Sequence, residues 1–437
     1  MKTKLLLMLL LANFSIYAQY TNIPDVNFEK KLISLGIDTG TPDGQVLTSN
    51  ISSISILNIN NSSIADLTGI ENFTALENLY ATKNQLSIAD FSSNLLLNYV
   101  DCSRNLLTSL NVSKNTKLTD LNVGFNSLTE IDLKSNVLLK GIDFQRNKLT
   151  NIDLTKNTKM TNINALVNQL TDLELSANTL LSSLSVSSNK LTSLDINNNI
   201  ELTYLNCGNN LLTGINVSKN VNLIDFYCHY NQITNLDIKK NILIKGFMCH
   251  GNKLSSIDVS NNPELEMLDC LENQLTSLDI SKNPKITELA CEENQLIYLN
   301  LKNGNNVNLD LTYSNFSKNP NLTCIEVDDV AYSNANWNNL KDATATYAST
   351  CSKLDIEDSV FDKVVLYPNP TKYEVTISNI ALEKATVYNA LGQLVKSFTL
   401  NSGNMNNTIS LSGLPKGVYY VSLINQEAAS VKKVIVE

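Results

Sequence analysis

The sequence predicts a mainly β fold in which short parallel strands stack into a solenoid, and three observations favour it. A pattern of 21 residues recurs, apolar and polar residues alternate inside the pattern, and asparagine returns at fixed positions. Written from Leu118, one unit reads LTDLNVGFNSLTEIDLKSNVL, and the next, from Leu139, reads LKGIDFQRNKLTNIDLTKNTK. Self-similarity at a fixed period is typical of a solenoid, in which each coil buries its apolar face only against its neighbours.

Eleven units of 21 residues follow one another without an insertion between Leu76 and Asn306. We call each unit a coil and number its residues as positions 1 to 21. The half-pattern L-x-x-L-x-L-x-x-N occurs twice in each coil, at positions 1–9 and 11–19. Alternation at positions 4–6 and 14–16 predicts two strand-like stretches in each coil, so stacked coils should form two parallel sheets with about 4.8 Å per coil. The coils begin at Leu76, Leu97, Leu118, Leu139, Met160, Leu181, Leu202, Leu223, Ile244, Leu265 and Ile286.

Asparagine occupies position 9 of all eleven coils and position 19 of the first ten. Because the Asn side chain carries both donors and an acceptor, a buried column of Asn is able to satisfy the turn backbones of its own and adjacent coils. We therefore expect these columns to be structural and not catalytic. The position-9 residues are Asn84, Asn105, Asn126, Asn147, Asn168, Asn189, Asn210, Asn231, Asn252, Asn273 and Asn294.

The chain of 437 residues begins with the pattern of a secretory signal peptide at residues 1–18. Lys2 and Lys4 precede a short apolar run, and Ala18 provides a small residue at a plausible cleavage point. The alternative is a membrane anchor, but the apolar run is too short to span a bilayer, and no other stretch is long enough to serve as a transmembrane segment. Loss of both lysines changes the net charge from −9 to −11, which disfavours nucleic acid and anionic membrane surfaces as partners.

The 21-residue template resembles the leucine-rich-repeat superfamily, specifically the bacterial class with a nested half-repeat. Residues 54–75 resemble a 22-residue unit of the internalin type, so the predicted leucine-rich-repeat solenoid covers residues 54–306. Residues 23–36 read as an amphipathic helix, and residues 19–53 are similar to the helical N-terminal cap of such proteins, which covers an otherwise open solenoid end. The apolar residues of this helix are Phe28, Leu32, Ile33 and Leu35, with Pro24 near its start and Gly36 as its stop.

After Leu301 the period breaks, and residues 307–351 resemble the C-terminal cap of related bacterial repeat proteins. Trp337 is the only tryptophan of the chain, and we expect it to cover the last coil. Cys324 and Cys351 lie in this cap, and an exported protein meets the oxidising conditions that a disulfide requires, so the sequence predicts a bond between them. Residues 352–360 are charged, lack repeat character and are interpreted as a linker.

Residues 361–437 resemble the C-terminal sorting domain of type IX secretion cargo. Four segments match in the expected order: YPNP from Tyr367, VYNALGQ from Val387, LPKGVYY from Leu414 and KKVIV from Lys432. Alternation within short runs predicts an all-β module, and the resemblance implies a β-sandwich that engages the type IX secretion machinery. It also implies export across the outer membrane, after which the passenger is released or attached to the surface. The sorting-signal residues are Pro368, Asn369, Pro370, Gly392, Gly417 and Tyr419.

Six of the eight cysteines occupy position 6, the inward slot that holds Val123 or Phe144 in other coils. Two pairs, Cys228-His229 and Cys249-His250, suggest a metal site, but neighbouring residues of a strand point to opposite faces. We therefore interpret these cysteines as buried thiols that replace apolar residues, and we expect no bound metal and no cofactor. The six are Cys102, Cys207, Cys228, Cys249, Cys270 and Cys291.

The first strand-like stretch carries the most varied surface of the array. Its outward positions are 3, 5, 7 and 8, and position 8 changes from basic residues in the early coils to Glu272 and Glu293 in the last two. Tyr and Arg make good binding anchors because they give large contact area and directed hydrogen bonds. An ordinary solvated face is the alternative. The predicted ligand-binding residues are Arg104, Phe125, Arg146, Tyr204, Tyr227, His229, Tyr230 and His250.

The second stretch is uniform, with Asp or a close analogue at position 15 of every coil, from Asp90 to Asn300. Stacked carboxylates repel one another, so they require water, turn hydrogen bonds or cations. Calcium is a weak possibility because no coil supplies the oxygen-rich loop of a dedicated site. Thr is also frequent at position 12, but the adjacent acidic column argues against ice binding.

These patterns predict a secreted or surface-attached protein that binds a protein or a glycan through the first-strand face, as in adhesion or capture. The second hypothesis is a structural surface-layer solenoid, stabilised by cations and without a specific ligand. An enzyme is disfavoured because the chain has only two histidines, and no catalytic triad, phosphate loop or zinc motif is present.

Overall fold

The computed structural model describes residues 19–351, 364–401, 403–424 and 429–437. The predicted signal peptide at residues 1–18 and the predicted linker at residues 352–360 lie outside these described residues. The chain divides into two compact units, one ending at Cys351 and the other beginning at Ser352. Each unit has a hydrophobic core of its own. Within the described residues, no helix combines the length and the apolar character needed to cross a bilayer.

The main sheet of the first unit consists of twelve parallel strands, each of three residues at positions 3–5 of its coil or of the preceding 22-residue unit. Equivalent positions lie opposite one another, as Tyr204 and Asp225 do, because every coil has the same length. Position 4 points inward and is buried throughout. The strands are β3 (Ile56–Asn58), β4 (Asn78–Tyr80), β5 (Tyr99–Asp101), β6 (Asp120–Asn122), β7 (Gly141–Asp143), β8 (Asn162–Asn164), β9 (Ser183–Ser185), β10 (Tyr204–Asn206), β11 (Asp225–Tyr227), β12 (Gly246–Met248), β13 (Met267–Asp269) and β15 (Glu288–Ala290).

The N-terminal end of the solenoid is covered by a small cap. Helix α1 (Val26–Ser34) begins after Asp25, whose side chain accepts hydrogen bonds from the backbone N–H groups of Asn27 and Phe28. Phe28 and Leu32 are buried, whereas Leu35 lies beyond the helix and is exposed, so its prediction as part of the apolar helix face is wrong. The chain leaves the helix there, with Gly36 in the left-handed region at φ 71°. The other cap elements are β1 (Tyr20–Asn22), β2 (Gln45–Leu47) and α2 (Thr48–Ile51).

The second predicted sheet forms only at the C-terminal end of the solenoid. Strands β14 (Ser277–Asp279), β16 (Tyr298–Asn300), β17 (Cys324–Glu326) and β18 (Thr346–Ala348) pair there in that order. In earlier coils the equivalent segments form no strand, apart from one bridge between Asp90 and Asn111, so the prediction of a continuous second sheet is wrong.

A groove of about 680 Å³ is lined by these segments in coils two to four. There the N–H group at position 17 donates to the side chain at position 15 of its own coil. Coils ten and eleven make the same contact and still pair, so this local hydrogen bond does not by itself prevent a ladder.

The C-terminal cap extends the solenoid by one irregular coil. Asn319 acts as a further position-9 residue, because its Oδ1 atom accepts from the backbone N–H of Leu296 and its Nδ2 atom donates to the carbonyl of Cys291. After helix α3 (Val330–Asn336), Trp337 is fully buried and packs edge-on against Phe316. The predicted disulfide between Cys324 and Cys351 is confirmed, with an S–S distance of 2.00 Å.

The second unit is built from two antiparallel sheets. Three strands form one sheet in the order β19, β20, β23, and four form the other in the order β22, β21, β24, β25. Val375, Ile377, Val387, Val421 and Val434 are among its buried core residues. The strands are β19 (Val365–Tyr367), β20 (Glu374–Ser378), β21 (Lys384–Asn389), β22 (Leu394–Thr399), β23 (Asn407–Ser410), β24 (Gly417–Ile424) and β25 (Ala429–Val436).

Candidate functional site

The predicted ligand-binding residues lie on the outer face of the twelve-stranded sheet and on the turn that follows each strand. The strands end at position 5, so positions 7 and 8 belong to this turn and not to the strand itself. The ten non-glycine residues at position 8 all adopt left-handed backbone conformations, with φ between 46° and 57°. In nine of them, from Lys83 to Glu272, the N–H group donates to a carbonyl of the next coil, as that of Arg104 does to the carbonyl of Gly124 at 2.8 Å. The repeated turn therefore places all position-8 side chains along one edge of the sheet.

Position 5 stabilises this turn from the strand side. The side chains of Asp101 and Asp143 accept hydrogen bonds from the backbone N–H groups two residues later, at 2.9 Å in both cases. Asn122, Asn164, Asn206 and Asp269 make the same contact. Asp and Asn at position 5 thus have a structural role in the turn, which the sequence pattern did not reveal.

Arg104, Phe125 and Arg146 form one cluster at position 8 of coils two to four. The guanidinium carbon of Arg104 lies 3.9 Å from the centroid of the Phe125 ring, and that of Arg146 lies 5.3 Å from it. Both arginines are exposed, and the Phe125 ring is half-buried between them. A cation over each side of the ring leaves little of the Phe125 surface for a ligand, so the arginine side chains are the available groups.

The other five predicted residues form a second group in coils seven to nine, which we call the aromatic–histidine cluster: Tyr204, Tyr227, His229, Tyr230 and His250. Within it, Tyr204 and Tyr227 meet edge to face with ring centroids 5.8 Å apart. The Tyr227 hydroxyl donates to Oδ1 of Asp225 at 3.1 Å. Burial, and then the negative charge of Asp225, raise the pKa of Tyr227 well above its usual range, so the hydroxyl stays protonated.

The remaining three rings pack directly on one another. His229 stacks on His250 with centroids 4.8 Å apart, and Tyr230 meets the His250 ring edge to face at 4.9 Å. Tyr230 is the exposed member, with 47% of its surface accessible. Glycines create the space: a Cβ atom on Gly208 would lie 2.3 Å from Cε1 of His229, and one on Gly251 would lie 2.3 Å from Cδ1 of Tyr230.

Electrostatics distinguish the two histidines. Oδ2 of Asp269 lies 2.7 Å from Nδ1 of His250, which is an ion-pair distance when the His250 ring is protonated. The two groups are not aligned as a hydrogen bond. The Nδ1 atom of His229 is buried and has no hydrogen-bond partner among the described residues. Burial, followed by repulsion from His250, lowers the pKa of His229, so this ring is neutral at neutral pH.

The asparagine columns hold adjacent coils together. Oδ1 of Asn105 accepts from the backbone N–H of Leu86 in the preceding coil, and its Nδ2 group donates to the carbonyls of Ala81 and Cys102. At position 19, the Nδ2 group of Asn115 donates to the carbonyls of Phe91 and Asn94. Each Asn thus connects the backbones of two coils.

The cysteine column and the acidic column both have structural roles in the solenoid. All six position-6 cysteines are fully buried and unpaired, and burial raises the pKa of Cys207 to about 12. At position 15, side chains from Asp90 to Asn300 accept a hydrogen bond from the backbone N–H two residues later. Among the described residues, no group of three or more His, Cys, Asp and Glu side chains is arranged to hold a metal ion.

Sequence reasoning missed a second feature of the same sheet face, a depression of about 300 Å³ centred on Gly141 in coils two to five. No residue type there is distinctive by itself. The only available signal is a glycine at position 3, where neighbouring coils carry Asp120 and Asn162.

The predicted sorting-signal residues lie in turns and strand contacts of the second unit. Asn369 donates to the carbonyl of Lys433 and accepts from the N–H of Ile435, both at 2.9 Å, so the YPNP segment is fixed to β25. Gly392 lies in the turn between β21 and β22 with φ 76°. The Tyr419 hydroxyl donates to the carbonyl of Pro415 at 2.8 Å.

Comparison with known proteins assigns the second unit. Residues 365–437 match the family described as the secretion system C-terminal sorting domain. The chain is also 40% identical over 76 residues to Beta-agarase A of Zobellia galactanivorans, a match that covers 17% of this chain. It spans only 14% of the length of that relative.

Three solved structures of bacterial leucine-rich-repeat proteins resemble this chain. The functional domain of InlJ from Listeria monocytogenes, which includes a cysteine ladder, is 25% identical with a TM-score of 0.57, covering 96% of this chain and 99% of that domain. An internalin of Listeria monocytogenes, inlF, is 19% identical with a TM-score of 0.60, covering 76% of this chain and 96% of the internalin. The protein LIC12759 of Leptospira interrogans is 20% identical with a TM-score of 0.58, covering 69% of this chain and 85% of LIC12759. The last two show the fold alone.

Both predicted resemblances are thereby confirmed. The sorting domain marks proteins that the type IX system releases or attaches to the surface. The chain is therefore an exported protein in which an internalin-type leucine-rich-repeat solenoid precedes a secretion system C-terminal sorting domain.

Proposed function

We propose that this protein binds a macromolecular ligand, a protein or a glycan, outside the cell, and that the aromatic–histidine cluster is the centre of the binding surface. The observation that carries the proposal is the presence of two packed ring groups in three adjacent coils: Tyr204 with Tyr227 on the strands, and His229, Tyr230 and His250 on the turns that follow. Tyrosine-rich patches of fixed geometry are typical binding centres, because little side-chain entropy is lost when the ligand arrives.

The glycines beside the cluster support a role beyond ordinary surface packing. Gly208 and Gly251 occupy the positions where any side chain would collide with His229 and Tyr230. The rings therefore lie against the backbone of the sheet and present a broad surface, with Tyr230 projecting from it. Arg104 and Arg146, in earlier coils of the same face, offer cationic groups to an extended ligand.

The alternative function, a structural solenoid stabilised by cations, has less support. The column of acids at position 15 is the feature that would attract cations, yet one oxygen of Asp132, Asp153 or Asp258 already accepts a hydrogen bond from the turn backbone. Lys134 and Lys239 also pair with neighbouring carboxylates of this column. These contacts reduce the repulsion without a metal ion.

The experiment is binding of the full chain to arrays of purified extracellular proteins and of glycans, compared with a variant in which Tyr227, His229, Tyr230 and His250 are changed to Ala. We expect the variant to lose affinity by at least about tenfold. Because three of these side chains are half-buried, the single variant Tyr230→Ser tests the exposed ring with less risk to folding. Tyr313→Ala removes an exposed tyrosine of the C-terminal cap and is the matched control. Equal binding by all four proteins, or no bound ligand, would refute the proposal.

A further inference from the structure

The Gly141 depression is a polar recess in the outer face of the main sheet, separate from the aromatic–histidine cluster. It spans coils two to five, and Gly141 lies four coils before Tyr227, a distance of about 20 Å at the spacing of parallel strands. Its volume of about 300 Å³ is at the small end of ligand pockets. Tyr99, Asp120, Gly141 and Asn162 line it from position 3, and Asp143 and Asn164 from position 5.

Gly141 makes room for the side chain of Asp120. A Cβ atom on Gly141 would lie 2.6 Å from Oδ1 of Asp120, so the carboxylate of Asp120 occupies the space that a side chain would fill. Gly141 is part of a regular strand and its φ is not in the left-handed region. The backbone therefore does not require glycine here, and what glycine provides is room for the Asp120 carboxylate to lie over the strand and line the recess.

The two carboxylates of the recess are held in place by hydrogen bonds, and other polar atoms of the recess have unused hydrogen-bonding capacity. Oδ2 of Asp120 accepts from the Thr119 hydroxyl at 2.8 Å, which fixes the carboxylate. Oδ2 of Asp143 accepts from the side-chain amides of Asn164 and Gln145, both at 2.9 Å. Among the described residues, Oδ1 of Asp120, the Tyr99 hydroxyl and the Asn162 amide make no hydrogen bond. These three groups offer both acceptors and donors to a ligand.

One aromatic ring completes the recess. The Tyr99 ring packs on Tyr80 of the preceding coil with centroids 4.9 Å apart. Because Tyr80 lies on the side away from Gly141, this contact fixes the orientation of the Tyr99 ring at the border of the recess.

From these observations we propose that the Gly141 depression binds a neutral glycan, with a sugar ring against the Asp120 carboxylate that lies over Gly141. Carboxylate, amide and phenol groups match the adjacent hydroxyls of a sugar, which donate and accept in turn, and the carbon-bound hydrogens of the ring suit the border formed by Tyr99. Two carboxylates repel an anionic ligand. A peptide strand has no free sheet edge to pair with here, because β6, β7 and β8 are paired on both sides.

The proposal is tested by binding of the full chain to a glycan array that contains neutral and acidic glycans, followed by calorimetric titration with the neutral hit of highest signal. We expect neutral glycans to bind, and Gly141→Leu, which fills the recess, to weaken binding by at least about tenfold. Asn162→Ala is the second variant, since this exposed side chain is removable without loss of packing. Ser183→Ala, at position 3 of the next coil outside the recess, is the matched control and should bind as the wild type does.

Two results would overturn the proposal: no neutral glycan binds, or both recess variants bind the neutral glycan as well as the Ser183→Ala protein does. The outcome is distinguishable from that of the proposed function, because Tyr230→Ser should leave glycan binding at the Gly141 depression unchanged. Conversely, Gly141→Leu should leave a ligand of the aromatic–histidine cluster bound.

Discussion

Gly251 and Tyr230 occupy equivalent positions of adjacent coils, and the space above the glycine holds the ring of the tyrosine. A Cβ atom on Gly251 would approach Cδ1 of Tyr230 to 2.3 Å. Both residues have left-handed backbones, with φ of 63° for Gly251 and 46° for Tyr230. Because other coils place Arg, Phe or Val in this conformation, the backbone alone does not explain the glycine. The Tyr230 ring explains it, because the ring occupies the space that a side chain at position 251 would need.

The first prediction concerns this contact. Gly251→Ala should lower the free energy of unfolding by about 1–3 kcal/mol, because its Cβ atom would overlap the Tyr230 ring, and it should displace that ring from His250. Chemical denaturation measures the stability, and near-ultraviolet circular dichroism reports the environment of the ring. Gly304→Ala is the control, since Gly304 also has a left-handed backbone, with φ of 79°, and a Cβ atom there meets nothing within 4 Å. If Gly251→Ala is as stable as Gly304→Ala, the proposed close packing is wrong.

The second prediction concerns the asparagine column. In coil six, Asn189 accepts from the N–H of Leu170 at 3.0 Å and donates to the carbonyls of Ala165 and Val186. Asn189→Ala leaves these buried backbone groups without partners, so we expect the free energy of unfolding to fall by about 2–4 kcal/mol in denaturant titration. Asn198→Ala, an exposed asparagine of the same coil, should change it by no more than about 0.5 kcal/mol. Similar losses for both variants would contradict the structural role of position 9.

The third prediction concerns the disulfide between Cys324 and Cys351, which closes the C-terminal cap. Changing both cysteines to Ala should lower the free energy of unfolding by about 2–4 kcal/mol, because the unfolded cap gains conformational freedom. Thermal melts with and without a reductant provide the measurement. The reductant should lower the melting temperature of the wild type and leave that of the double variant unchanged, since the other six cysteines carry no disulfide. An equal response of both proteins would count against the prediction.

The fourth prediction concerns pH and Glu292 in coil eleven. Burial, and to a smaller extent the negative charges of Asp269 and Glu293, raise the pKa of the Glu292 carboxyl, and its Oε2 atom is buried without a hydrogen-bond partner. The folded state therefore holds the proton more tightly than the unfolded state does, and stability is lost as pH rises from the unfolded value of about 4.5 through the folded pKa.

Glu292→Gln should accordingly raise the melting temperature at pH 7.5, and the difference from the wild type should vanish near pH 4, where the wild-type carboxyl is protonated. Melting curves across this range provide the measurement. Glu293→Gln is a useful comparison, because Glu293 is exposed and pairs with Lys318, so its replacement should not stabilise the protein at neutral pH. A lower melting temperature for Glu292→Gln at pH 7.5 would disprove the assignment.

Much of the proposed binding surface was predictable from spacing. Because every coil has 21 residues, the repeat pattern by itself places Tyr204, Tyr227 and His250 on one side of the array. The Gly141 depression was not predictable in this way, since it depends on how Asp120 and Asn164 are held by their neighbours. Likewise, the contact of Arg104 with the Phe125 ring depends on the direction of two long side chains, which a repeat pattern does not specify.

The sequence by itself determined the period, the parallel stacking and the inward positions, because a strict repeat permits only one way to bury its leucines and pair its coils. It also determined the disulfide, because the other six cysteines all occupy the inward position 6. The tertiary structure alone decided where strands form. Position 15 has the alternating pattern of a strand and accepts the same turn hydrogen bond in every coil, yet strands pair there only from coil ten onward. In coils two to four these segments line a groove of about 680 Å³ instead. Pairing on this side therefore depends on how closely adjacent segments approach one another, and only the folded array sets that approach.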